Sequence, residues 1–310
     1  MPDLITVQDS SANPAPNLAD RVRRAALDRD DRAALHWCDR TLSWSDLDAA
    51  VDAVARGLSA AAPPTDPGGT PPRVAIALPN TLDFVVTWLG ALRAGLVAVP
   101  VNPGFTAPEL RHVLADSGAS VLIATDRVRG LVADVAAELP ALTLVSGTPP
   151  TAEAPGPSAR PRRGGADLAV LLYTSGTEGR PKGAMLSHQA LLANHEQVDR
   201  IQPPVVGPTD TVLLALPLFH AYGLNSGLGA VVHHGATGWP FPTTTPMSWT
   251  SPMCRRAPTR GRSSCPAPTS STVTGPTVGA APTPTAGGAP ATSRTPTRTV
   301  TSSWSTGSAS

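Results

Sequence analysis

The residues best suited to chemistry stand in one run, Thr174-Ser175-Gly176-Thr177-Glu178-Gly179-Arg180-Pro181-Lys182-Gly183. Glycines let a backbone turn tightly and aim several N–H groups at one anion, and the hydroxyls of Thr174, Ser175 and Thr177 add donors. Lys182 adds a positive charge able to reach phosphate oxygens. The chemistry of such a loop is phosphate binding. The Walker A pattern is excluded, because it needs a hydroxyl residue after its lysine to hold magnesium. Here Gly183 follows Lys182 and Pro181 precedes it.

A loop of this kind must be held by regular elements on both sides. The apolar run from Leu168 to Tyr173 is continuous rather than alternating, which predicts a buried strand. A short apolar run, Ala184 to Leu186, follows the loop, and Ser187 is placed to cap a helix from His188 to about Asp199. His188 and His195 lie two turns apart on that helix, too far for a shared metal, and read as surface or boundary histidines. Thr211 to Leu216 predicts a strand, followed by Leu216-Pro217-Leu218-Phe219-His220-Ala221-Tyr222-Gly223-Leu224. A helix from Tyr222 to His233 should close at Gly235, with a further strand from Ala236 to Trp239. His233 and His234 are expected to meet that helix's terminal carbonyls rather than a metal.

Upstream, Asn17 can cap a helix through Leu18, Val22, Ala25 and Ala26. Ala33–Trp37 and Thr41–Trp44 suggest a hairpin. Ser45 with Asp48 suggests a capping box opening a helix whose stripe is Leu47, Val51, Val54 and Leu58. Strands at 73–78, 96–101, 120–124 and 142–145 alternate with helices at 81–94, 106–118 and 127–138. The second of these helices starts with the capping box Thr106/Glu109 and stops near Gly118. Such alternation argues for a mostly parallel sheet covered on both faces.

With those residues in view, the loop resembles the signature YTSGTTG-x-PKG of the adenylate-forming (AMP-binding) superfamily, and this chain departs from it at Glu178. A carboxylate there would repel bound phosphate unless it points outward or shares a cation. An incidental Gly-rich turn is the alternative, and the number of residues matching in order decides against it. The block RAGLVAVPVNPGFTAPELRHVLADSGASVLIA, from Arg93 to Ala124, and the LPLFHAYGL stretch resemble two further family blocks. The resemblance covers about residues 17–240. It implies an α/β fold, the first part of the family's large domain, with stacked, mostly parallel sheets flanked by helices.

The resemblance also implies a function: a carboxylic acid, here a fatty acid, is activated by ATP to an acyl-adenylate and passed to coenzyme A. Thr174, Ser175, Gly176, Thr177, Gly179, Lys182 and Gly183 match the loop around the β and γ phosphates, and Thr177 is the candidate magnesium contact. Lys182 and His220 are the candidate catalytic residues. Phe219 offers an apolar wall, and His220 can donate a hydrogen bond to the acyl carboxylate. The competing view of His220 is a buried histidine at a strand end. Two other functions stay open: an acyl-AMP ligase feeding a carrier protein, and a non-catalytic remnant.

The 310 residues carry a formal charge of +1, which gives no ground for a nucleic-acid partner. Cys38, Cys254 and Cys265 have neither metal nor disulfide spacing, as expected in a reducing cytoplasm. No signal peptide or membrane span is expected, because the most apolar region is broken by Arg93 and Gly95. Residues 1–16 read as a flexible tail and 17–240 as a partial AMP-binding domain. From Phe241 to Ser310 there is no Leu, Ile, Asp, Glu, Lys, Asn, Gln, His or Tyr. A segment so poor in large apolar residues is expected to be disordered. Either a genuine Thr/Ser/Pro-rich tail or out-of-frame translation would produce it, and the abrupt mid-domain change favours the frame shift.

Overall fold

A computed structural model of the chain describes residues 16–29, 31–37, 40–66, 69–152, 162–174 and 181–240. All belong to the first of two compact units, Met1–Pro258. The tail expected before residue 16 and the low-complexity segment 241–310 lie outside the described residues.

Helix α1 (Asp20–Asp28) buries Val22 and Ala25, as its apolar spacing requires. Asn17 accepts the Ala19 N–H at 2.8 Å, tying the turn that leads into it. Strands β1 (Ala33–Trp37) and β2 (Arg40–Ser43) pair antiparallel, giving the expected hairpin. Helix α2 (Trp44–Ala61) starts earlier than the Ser45/Asp48 box would have it. Ser43 and Asp46 form the box instead: the Ser43 Oγ accepts the Asp46 N–H, and the Asp46 carboxylate accepts the Ser43 N–H, each at 3.0 Å. Two competing demands explain the shift. Starting at Trp44 buries that indole completely, and Asp48 is engaged by Arg93 at 2.6 Å.

The next elements alternate as expected: β3 (Arg73–Ala77), α3 (Leu82–Arg93), β4 (Val97–Pro100), α4 (Ala107–Ser117), β5 (Val121–Ala124), α5 (Asp126–Ala133) and β6 (Leu144–Ser146). Helix α4 carries the Thr106/Glu109 box and ends on Gly118, whose φ of 58° lies in the left-handed region that glycine enters without a Cβ clash. The helix expected over 127–138 is shorter. It gives way after Ala133 to a 3₁₀ turn, Ala136–Glu138, consistent with the poor helix propensity of Gly130 and of Val132 and Val135.

Strands β7 (Leu168–Thr174) and β8 (Lys182–Ser187) complete a six-stranded sheet ordered β6-β5-β3-β4-β7-β8. It is parallel except for the β7–β8 pair at its edge. Val74, Ile76, Val121 and Ile123 face a core shared with α2 and α3, while Ala75, Ala77, Leu122 and Ala124 face α4 and α5. Burial on both faces explains why these strands read as unbroken apolar runs.

A second sheet is ordered β2-β1-β10-β9, with β9 at Thr211–Leu214 and β10 at Thr237–Pro240. Helix α6 (His188–Val198) precedes β9. A π-helix (Tyr222–Gly229) and α7 (Ala230–His234) lead into β10, with the turn made by Gly235 at φ 63°. The fold is thus α/β, with mostly parallel sheets flanked by helices. No helix among the described residues is long and apolar enough to cross a membrane.

Candidate functional site

The antiparallel register of β7 and β8 sets Thr174 opposite Lys182 and Tyr173 opposite Gly183. Directly opposed residues have Cβ atoms about 5 Å apart. Thr174 and Lys182, both exposed, therefore stand opposite each other on either side of segment 175–180. Ser175, Gly176, Thr177 and Gly179 lie outside the described residues. Gly183 packs closely against the opposite strand: a Cβ there would lie 2.9 Å from Leu171 Cδ1 and 3.2 Å from Tyr173 Cζ, so those side chains would have to shift.

The residues on both sides of this segment are tied to α4. The Tyr173 hydroxyl donates to the Asp116 carboxylate, and His112 Nε2 lies 2.9 Å from the Pro181 carbonyl oxygen, to which its N–H donates. One helical turn separates His112 from Asp116, so they share a face. Burial first, and then the Asp116 hydrogen bond, raise the Tyr173 phenol well above its ordinary value, keeping it a donor.

The second motif is held by a residue outside it. Asn80, fully buried, donates to the carbonyls of Leu214 (3.1 Å) and Leu216 (2.9 Å) and accepts the Leu218 N–H at 2.8 Å. Downstream, His220 is exposed, so the buried strand-end alternative does not hold, and its ring packs on Phe219 with centroids 4.6 Å apart. A Cβ on Gly223 would sit 2.2 Å from the Pro217 carbonyl oxygen, so only glycine lets the π-helix close on this turn. π-Helical turns recur at functional sites.

Between β8, α6 and the π-helix lies a cavity of about 350 Å³, walled by Leu186, Leu191, Leu224 and Tyr222, with Asn194 and Asn225 as its amides. That volume is in the range of small-molecule sites. Leu186 is four residues along β8 from Lys182, about 13 Å at strand rise. The structure thus brings the loop's own strand and the helix following His220 to one cavity. Lys182 itself stands on β8, whereas His220 lies in the bend between β9 and the π-helix.

His188 and His195 are not surface residues; they are 0% and 2% exposed. His188 Nδ1 accepts the Leu18 N–H at 3.3 Å, and burial pushes its pKa down to about 4. His195 Nε2 faces Asn225 Oδ1 at 3.1 Å, and burial, then the neighbouring His233, takes its pKa to about 4 as well. His195 thus stays neutral and fixes a cavity amide from behind. A Cβ on Gly229 would lie 2.8 Å from His195 Nε2, which explains that glycine. His233 and His234 do not meet the terminal carbonyls either. Arg29 takes those of His234 (2.7 Å) and Gly235 (3.0 Å), leaving both rings to Asp199.

The sequence model of the family described as AMP-binding enzyme matches residues 22–259. The chain belongs to this family. It is 36% identical over 234 residues to 4-coumarate–CoA ligase 5 of Oryza sativa subsp. japonica, covering 71% of this chain and 42% of that one. It is 38% identical over 209 residues to feruloyl-CoA synthase of Amycolatopsis sp, covering 66% and 39%. The chain thus spans about four-tenths of the length of these relatives. Among solved structures, the N-terminal domain of FACL13 from Mycobacterium tuberculosis superposes with a TM-score of 0.62 at 26% identity, covering 74% of this chain and 58% of that one. ATP-bound MatB from Rhodopseudomonas palustris gives 0.62 at 27%, covering 74% and 46%.

Sequence reasoning missed Asn80, His112, Asp116 and Asn225. The spacing of His112 and Asp116 was a usable signal, since it puts two polar groups on one helical face. Asn80 carried no such pattern.

Proposed function

We propose that this AMP-binding chain serves the ATP-dependent activation of a carboxylic acid. The acid carboxylate attacks the α-phosphate, giving an acyl-adenylate and pyrophosphate. The coenzyme A thiol then takes the acyl group and AMP leaves. The observation that carries this reading is a single antiparallel strand pair, with Thr174 and Lys182 flanking the Gly-rich segment and an apolar-walled cavity against its far end.

Lys182 would neutralise the β and γ phosphates, with Thr174, Ser175, Gly176, Thr177, Gly179 and Gly183 supplying donors around them. Two exposed groups on either side of that segment fit a polyphosphate. Magnesium, which would supply further charge neutralisation, is assigned to Thr177 from the family resemblance alone. In-line attack needs positioning and charge neutralisation more than covalent help from the protein. Phe219 and His220 would flank the acyl carboxylate. A fatty acid is the first substrate to test, and hydroxycinnamic acids follow, because two relatives are named for them.

We extend the proposal to residues 241–310, read as out-of-frame translation, which resequencing of the coding DNA across residues 235–250 checks. ATP–pyrophosphate exchange over a panel of acids, in a frame-restored chain, tests the activity. Lys182→Ala should weaken exchange about tenfold to a hundredfold, the roughly 1.5–3 kcal/mol of one charge-assisted contact. No exchange with any acid would sink the function, whereas unchanged exchange in the variant would sink only the loop assignment.

A further inference from the structure

Away from the cavity and the hairpin, three ligand-bearing side chains converge at two helix ends. Asp199 is the C-cap of α6, and His233 and His234 are the last residues of α7. Adjacent residues on a helix point about 100° apart. Here both imidazoles nonetheless reach one carboxylate: His233 Nε2 lies 3.0 Å from Asp199 Oδ2, and His234 Nε2 lies 3.3 Å from Oδ1. One ligand atom from each of the three residues lies within 4.8 Å of the other two. Donors on a tetrahedral zinc, with bonds of about 2.0–2.1 Å, stand roughly 3.3 Å from one another. The three side chains therefore need only small shifts to close on an ion.

We propose that Asp199, His233 and His234 form a binding site for a divalent transition-metal ion of the zinc class. Two imidazole nitrogens and one carboxylate suit zinc, cobalt or nickel, whereas magnesium and calcium require a shell of oxygens. A cavity of about 100 Å³ opens beside the two rings, bordered by Arg21, Arg24, Asp28 and Arg29. His195 stacks on His233 with centroids 5.0 Å apart and planes 22° from parallel, which fixes that ring's orientation.

The opposing charges are also plain. Arg29 is engaged with the carbonyls of His234 and Gly235, Arg24 pairs with Asp28 at 3.8 Å, and Arg21 lines the same cavity as His234. His233 Nδ1 is buried without a hydrogen-bond partner among the described residues. When a metal takes Nε2, the ring proton moves to that Nδ1 and finds no acceptor there. Both effects limit the site to modest affinity.

The test is titration of the 310-residue chain with Zn²⁺ against a chromophoric chelator. Wild type should hold an ion that Asp199→Asn and His234→Ala each weaken by at least about the ten- to hundredfold that losing a supporting group costs. Asp199→Asn is isosteric at a partly exposed position, and far-UV circular dichroism checks that each variant is folded. Cobalt gives the second readout: a visible ligand-field band from nitrogen and oxygen ligands, lost in the same variants. Equal zinc affinity in wild type and both variants would overturn the assignment. So would the absence of zinc binding at about 1 mM, or a thiolate-to-cobalt charge-transfer band pointing to the cysteines instead.

Discussion

Residue identity alone misled at His188 and His195, although the pattern around them did not. With Leu191 and Leu192 they fill positions three, four and seven apart, which is the spacing of a buried helical stripe. All four are buried. Reading a histidine as polar, and hence as surface, set that periodicity aside. The consequence is a pH dependence. Each ring takes up its proton near 6.5 in an unfolded chain but only near 4 in the fold. Between those values the unfolded state binds more protons, so stability falls as pH drops through that window. The loss reaches up to about 3 kcal/mol per ring, and nothing changes above it. Urea unfolding at about pH 7.5 and pH 5 should show the chain markedly weaker at the lower value. His188→Asn, whose Oδ1 can still accept the Leu18 N–H, should remove roughly half of the slope. A stability unchanged between the two pH values would contradict the burial of both rings.

Elements were more legible than residues, because caps and periods are local. The Thr106/Glu109 box, Ser187 at the head of α6 and the Gly118 and Gly235 stops all stand where the sequence put them. The misses came from tertiary competition. Burial of Trp44 and the Arg93–Asp48 ion pair moved the start of α2, and no side-chain spacing marks a π-helix. Helix α4 packs its apolar face into the core, and its opposite edge ties both sides of the Gly-rich segment through Asp116 and His112. In a frame-restored chain, His112→Ala should therefore act on phosphate binding more than on folding. Loss of one hydrogen bond of about 1 kcal/mol corresponds to a roughly fivefold rise in the ATP KM measured by pyrophosphate exchange. A lowered melting temperature with KM unchanged would reduce His112 to a purely structural role.

For the whole molecule, the order of strands and helices through Pro240 was readable, and the stacking of two sheets followed from the family resemblance rather than from the pattern. Neither source locates a complete active site in the chain as written. The family's chemistry calls for an acid to hold magnesium, an aspartate on the ribose hydroxyls and a catalytic lysine in later segments. Residues 241–310 contain no Asp, Glu or Lys, so none of these can come from there. Micromolar ATP binding requires about 8 kcal/mol. A few phosphate contacts at a segment whose flanking residues Thr174 and Lys182 are exposed fall short of that. The 310-residue protein is therefore expected to bind nucleotide weakly and to form no thioester. Incubation with ATP, magnesium, coenzyme A and mixed fatty and hydroxycinnamic acids, followed by chromatography for acyl-CoA, decides the matter. Product above a no-enzyme control would mean that residues before 241 already supply the missing acid and lysine. Product from the frame-restored chain alone would assign them to the restored segment and support the out-of-frame reading of residues 241–310.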